Sequence, residues 1–349
     1  MFLSMIQFTM LELMVNHTNS DIQPIVKRLL EEAWQVKENE KILIISDYPT
    51  SEDFANQSTE LIEKMIERNL LAKSFYEIIR DLIPNEAELY YMKPTFEHYK
   101  NPADELLKNK IHSSDIVFSL TEYSLTDTPI VTDPLNEKKL RHISAPLIPA
   151  EVFYPGGPCD VDFLHMEKLT TKVFNFLQRA KSIEISDISG SNLSIEFNKP
   201  MDWIYECGFC TESGMFSNLP AGEVTLELPY NQTDCVVSGK LNIFPGWQED
   251  LTRPLKLTIQ NSRLVDSTGG GKVGAYIAEL ILKEDVQVTQ IGIGTNPKAM
   301  NPFSPTVADK VIGMAHVRFS PDERVEHYYI PISRMKIDGK TYQRNEIFE

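Results

Sequence analysis

The chain has 349 residues, of which 42% are apolar, and its 50 acidic and 34 basic side chains leave a formal charge of −16. That length favours two domains, each with enough apolar material to fill a core. No basic patch or stripe is present, which argues against nucleic acid as a partner, and four cysteines are too few for a disulfide framework in a chain of this size.

The opening stretch "MFLSMIQFTMLELMV" is apolar, but it carries no Lys or Arg, contains Gln7 and Glu12, and lacks a small-residue cleavage site. It therefore does not read as a signal peptide. Met5, Met10 and Met14 are alternative starts, so residues 1–19 are set apart as an N-terminal extension. Nowhere is there an unbroken run of about 18 apolar residues, the length a membrane span needs. The expectation is a cytoplasmic chain with no membrane contact.

Residues 20–181 read as an α/β domain. "IQPIVKRLLEEAWQV" has helical spacing, "KILIIS" is a buried strand, and the long helix "TELIEKMIERNLLAKSFYEIIRDLI" must stop at Pro84. "AELYYM", the helix "ADELLKNKI" and the strand "DIVFSL" follow. Strands separated by helices imply a parallel sheet with crossovers. "VDFLHMEKLTTKVFNFLQRAKS" is placed as this domain's last helix.

From residue 182 to 349 the period shortens. "SIEISD", "NLSIEF", "EVTLELP", "CVVSGKLNIF", "LKLTIQNSRLVDSTGGG" and "HVRFS" are short strands divided by Gly, Asn, Asp and Pro, with one helix at "KVGAYIAELILK". This predicts a mostly antiparallel α+β domain. Cys207 and Cys210 form an isolated C-x-x-C among Gly, Ser and Thr, read as reduced thiols in a loop rather than a zinc or redox site. The run Gly269–Gly271 before Lys272 misses the phosphate-loop spacing and reads as a plain strand-to-helix connection.

Candidate chemistry lies in the second domain. Glu223 stands alone after the Pro-Ala-Gly turn of "NLPAGEV", where a strand begins. "TQIGIGTNP" forces an irregular loop after an apolar strand, His316 sits among small and apolar residues in "VIGMAHVRF", and His327 alternates with apolar neighbours in "VEHYYIPIS". Each has a purely structural reading as well: an inward histidine can be a core residue, and a carboxylate after a turn can bind backbone N–H groups. Two imidazoles and one carboxylate are nonetheless enough to hold a divalent metal with open positions.

The order of these pieces resembles the metallo-aminopeptidase family of aminopeptidase T, which also contains mononuclear iron dioxygenases acting on dihydroxypyridine. "SDIVFSLTEYSLTDTP", "RHISAPLIP", "SIEISDISGSNLSIEF", "GIGTNP" and "GMAHV" are similar to the family's segments in the same order, and "NLPAGEV" matches its Asn-Leu-Pro-x-x-Glu-Val signature. The resemblance implies metal ligands at Glu223, His316 and His327, substrate contacts from Gln290, Asn296 and Tyr329, and a homodimer. Two positions depart from the pattern: Gln290 stands where a glutamate is expected before the "GIG" loop, and Tyr329 where an aspartate should follow His327. The His316–His327 stretch is also shorter, and the tyrosine that assists catalysis there has no counterpart.

Two dications about 3.5–4 Å apart need bridging carboxylates, and losing two negative charges removes what offsets a repulsion several times that of unit charges. The expectation is no more than one divalent ion per chain: Zn, Co, Mn or Fe. Three functions follow from it. The first is an aminopeptidase-like hydrolase acting on peptides through a degenerate metal site. The second is a mononuclear oxygenase on a small aromatic substrate, and the third an inactive relative that serves as a binding or scaffold protein.

Overall fold

The computed structural model describes residues 18–246, 250–300, 305–320 and 327–349. The first seventeen residues of the expected extension therefore lie outside the described chain. The polypeptide forms two compact units: the first runs up to Phe163 and includes Gly208–Ala221, and the second holds Leu164–Cys207 and Gly222–Glu349.

In the first unit, β1 (Ile42–Asp47), β2 (Ala87–Met92), β3 (Ile116–Ser119) and β4 (Arg141–Ser144) are joined by a short strand, β8 (Phe216–Asn218). They lie side by side in the order β2-β1-β3-β4-β8 with every pair parallel. All six residues of β1 are buried, as expected of a central parallel strand covered on both faces. The helix Thr59–Leu82 starts where the Ser58 hydroxyl accepts the Leu61 N–H at 3.2 Å. It ends before Pro84, where the sequence requires a stop. Leu107 and Ile111 from the helix Glu105–His112 pack with Leu43, Ile45 and Val117 beneath the sheet.

The second unit is built on a large, mainly antiparallel sheet. Its strands are β5 (Ser182–Ser186), β6 (Asn192–Phe197), β7 (Ile204–Glu206), β9 (Glu223–Glu227), β10 (Cys235–Ile243), β11 (Leu255–Gln260) and β12 (Arg263–Gly269). β13 (Gln287–Gly294), β14 (Met314–Ser320), β15 (Tyr328–Pro331), β16 (Arg334–Ile337) and β17 (Lys340–Gln343) complete it. Among the described residues the main path runs β15-β14-β13-β12-β11-β10-β6-β5-β16-β17, and β9 pairs with both β13 and β7. Val224, Leu226, Ile291, Ile293, Ala315, Val317, Tyr328 and Ile330 all belong to one buried core. The helix Lys272–Lys283 follows the three glycines, whose φ values of +81°, +70° and +61° make a connection that L side chains resist.

Two features depart from the sequence reading. The helix Phe163–Leu177, placed at the end of the first domain, sends Leu169, Val173 and Leu177 into the core of the second unit, so the changeover falls at residues 163/164 rather than near 182. An apolar stripe on a helix can cover either of two sheets, and periodicity does not say which. The chain then returns to the first unit to add β8. All four cysteines are free and buried, and among the described residues no helix is long and apolar enough to cross a membrane.

Candidate metal centre

Antiparallel pairing puts directly opposed residues on the same face of a sheet. On β9, β13, β14 and β15, Val224, Leu226, Ile291, Ile293, Ala315 and Val317 point into the core, so the alternate residues share the other face. Across that face Thr225 opposes Gly292, Gly292 opposes His316, and His316 opposes Tyr329. One rung along, Glu206 of β7 opposes Glu223 of β9, which opposes Gly294. The glycine at 292 is a matter of space: a Cβ there would overlap the His316 ring.

Asp309 reaches this face from the turn after the helix Pro305–Ala308. The turn is pinned to the "GIGTNP" loop by the backbone bonds Asn296 N–H to Lys310 O (2.8 Å) and Gly313 N–H to Gly294 O (3.0 Å). Gly294 permits that approach, since a Cβ would meet the carbonyls of Val311 and Asp309. As a result, one donor atom each from Asp309, His316 and His327 lie within 4.8 Å of one another. His327 Nδ1 is 2.7 Å from Asp309 Oδ1, the Tyr329 hydroxyl donates to the same oxygen at 2.9 Å, and His316 Nδ1 is 3.7 Å from it. The two imidazoles stack with ring centres 5.1 Å apart and planes 6° from parallel.

The electrostatics suit a cation. His316 is fully buried, neither ring nitrogen has a hydrogen-bond partner among the described residues, and burial pushes its pKa down to about 3. It is therefore the neutral imidazole that ligation requires. Burial alone would raise the Asp309 carboxyl. The imidazoles, the His327 hydrogen bond and the Lys310 ammonium more than offset this and hold it below the usual carboxylate range. A buried donor with both nitrogens idle, an ionised carboxylate and a second imidazole together fit a divalent ion.

Glu223 sits elsewhere in the same cluster. It is buried, and its carboxylate is ion-paired with the Lys310 ammonium, whose other carboxylate neighbour is Glu206 at 3.8 Å. Burial, with the neighbouring Asp309 and Glu206 charges, pushes the Glu223 carboxyl up, and the Lys310 ammonium in contact with it pulls the other way and favours the ionised form. Lys310 stays charged, because the surrounding carboxylates outweigh the cost of its burial. The carboxylate beside the two imidazoles is thus Asp309, and the one expected there, Glu223, is held by a lysine.

The remaining predicted residues are placed as follows. Gln290 donates from its side-chain amide to Glu227, which also pairs with Arg318 at 2.9 Å. Asn296 is fully buried, and its side-chain oxygen accepts the N–H groups of Lys298 (2.8 Å) and Ala299 (3.1 Å), a loop-shaping role. Tyr329 braces Asp309. Asp309 and Lys310 escaped the sequence reading. The available signal was an adjacent acid and base in "VADKVIGMAHV", seven and six residues before the inward His316.

No protein-family model and no curated protein matches the chain. Solved structures do. A 2,5-dihydroxypyridine dioxygenase from Pseudomonas putida KT2440 superposes with a TM-score of 0.62 at 16% identity, covering 93% of this chain and 96% of that one. The chain shares that enzyme's fold. AmpT from Thermus thermophilus superposes at 0.54 and 12% identity over 93% of this chain and 98% of its own. At such identities the likeness concerns the fold, and it bears out the layout that the order of motifs implied.

Proposed function

We propose that the protein is a mononuclear metal-dependent enzyme of the non-haem iron type, with one divalent ion held by Asp309, His316 and His327. The observation that carries this reading is the convergence of those three donors within 4.8 Å. Two imidazoles and one carboxylate with open positions form the set that non-haem iron(II) oxygenases use. When bound, the ion would supply redox chemistry with dioxygen that no side chain provides. The chain's own residues would do the rest: His316 offers a dry, neutral nitrogen, and the Tyr329 hydroxyl fixes the Asp309 carboxylate.

A two-metal aminopeptidase is less well supported. It needs carboxylates to bridge two ions, but Glu223 is bound to Lys310, and Gln290 is turned to Glu227. The likeness to a 2,5-dihydroxypyridine dioxygenase supports a small aromatic substrate for this site.

The test is anaerobic reconstitution with Fe(II), followed by assays of oxygen uptake with 2,5-dihydroxypyridine and of anilide release from aminoacyl nitroanilides. About one iron per chain, in the stoichiometry of a three-ligand site, together with oxygen uptake is the expected result. Anilide release without oxygen uptake would return the site to hydrolysis. No bound metal would leave only the scaffold.

A further inference from the structure

The second buried charge cluster of this unit lies beside the three ligands, and it is filled by the chain itself. Lys310 is 6% exposed, yet its ammonium stands between two carboxylates from adjacent strands: it contacts Glu223 Oε2 and lies 3.8 Å from Glu206 Oε2. Glu206 and Glu223 face each other directly across β7 and β9. A buried ammonium is costly unless paired, and the buried Glu223 and the half-buried Glu206 opposite it repel unless a cation separates them. Each component therefore explains the other. Lys310 also adjoins Asp309 in sequence, so the turn that delivers a metal ligand delivers this ammonium as well.

We propose that Lys310 is a resident cation that occupies a carboxylate site otherwise competent for a second divalent ion, and so limits the centre to one metal. The inference rests on the one-metal reading above, but it concerns different donors: Glu206 and Glu223 in place of Asp309, His316 and His327. An oxygen-only pair of this kind suits a hard ion such as Mn2+, with water completing its coordination. Lys310 fixes the metal count by filling the position with a charge that cannot exchange with solvent ions.

The experiment compares the full chain with Lys310→Ala and with Lys310→Ala/Glu223→Gln. Each is equilibrated with Mn2+, separated from free ion and assayed for metal per chain, and each is followed by calorimetric titration. The result expected is one additional Mn2+ in Lys310→Ala relative to wild type, lost again in the double variant. An unchanged count in folded Lys310→Ala overturns the proposal. Should Lys310→Ala not fold in metal-free buffer, refolding with Mn2+ decides the matter: recovery with the additional ion supports the proposal, and no recovery overturns it. The wild-type count tests the three-ligand site, while the increment between wild type and Lys310→Ala tests Lys310, so the two readings fail separately.

Discussion

At the scale of single residues, Tyr329 separates a braced carboxylate from a merely nearby one. Its hydroxyl donates to Asp309 Oδ1 at 2.9 Å in a buried setting, and Asp309 must present that carboxylate in a fixed orientation to hold an ion. Tyr329→Phe keeps the ring and removes only the bond. Such outer partners are worth roughly ten- to a hundredfold in metal affinity, so that loss is expected in a calorimetric Mn2+ titration, with the stoichiometry unchanged. An unaltered affinity would mean that His327 alone orients the carboxylate. The same scale shows what the sequence could and could not disclose. His316 was legible because small neighbours on a strand force it inward. Glu223 was legible as a lone carboxylate at the start of a strand, but its partner was not: Lys310 lies 87 positions away, and nothing local to either residue announces the pair. Asp309 was hidden for a related reason, since a turn residue shows no periodicity from which a direction could be read.

At the scale of elements, β13 carries two glycines with different duties. A Cβ at Gly292 would meet the His316 imidazole and Thr225 Cγ2. A Cβ at Gly294 would meet backbone carbonyls of the 309–311 turn. A ring can rotate away and a pinned turn cannot, so the two alanine variants should differ. Gly292→Ala is expected to abolish tight Mn2+ binding by displacing His316, at an overpacking cost of about 1–3 kcal/mol and with the fold kept. Gly294→Ala should lower the unfolding midpoint whether or not metal is present, because the turn itself must move. Thermal melts with and without Mn2+ check this, and equal behaviour of the two variants would refute the division of labour. The strands and their alternation were plain in the sequence, as was the stop at Pro84. The allegiance of the helix Phe163–Leu177 and the return of β8 to the first sheet were not, because both are settled by contacts distant along the chain.

At the scale of the whole molecule, the stability of the metal-free chain at mildly acid pH is set by what burial does to its ionisable groups. His142 on β4 is fully buried, shares a 2.8 Å hydrogen bond between Nε2 and the Ser119 hydroxyl, and has no partner for Nδ1 among the described residues. Burial alone pushes its pKa down to about 3. A histidine depressed in the folded state binds its proton first in the unfolded chain, so its contribution is intact above about pH 6.5 and is lost as pH falls toward 3. Within that window it removes about 1.4 kcal/mol per pH unit. Asp47 acts in the opposite direction. Burial, its largest influence, raises it to about 6 despite backbone N–H bonds from Glu122 and Tyr123, so it returns stability as pH falls from about 6 to 4. The net slope of the wild-type chain therefore mixes signs, and the difference between two chains is the cleaner quantity. His142→Gln keeps a polar group that can reach Ser119 but cannot take up a proton. Urea unfolding of both proteins from pH 7.5 to 4.5 should show the wild type losing roughly one proton's worth of slope more than the variant below pH 6.5. Parallel curves would mean that His142 is protonated in the fold and that a charge on this strand is tolerated in the core.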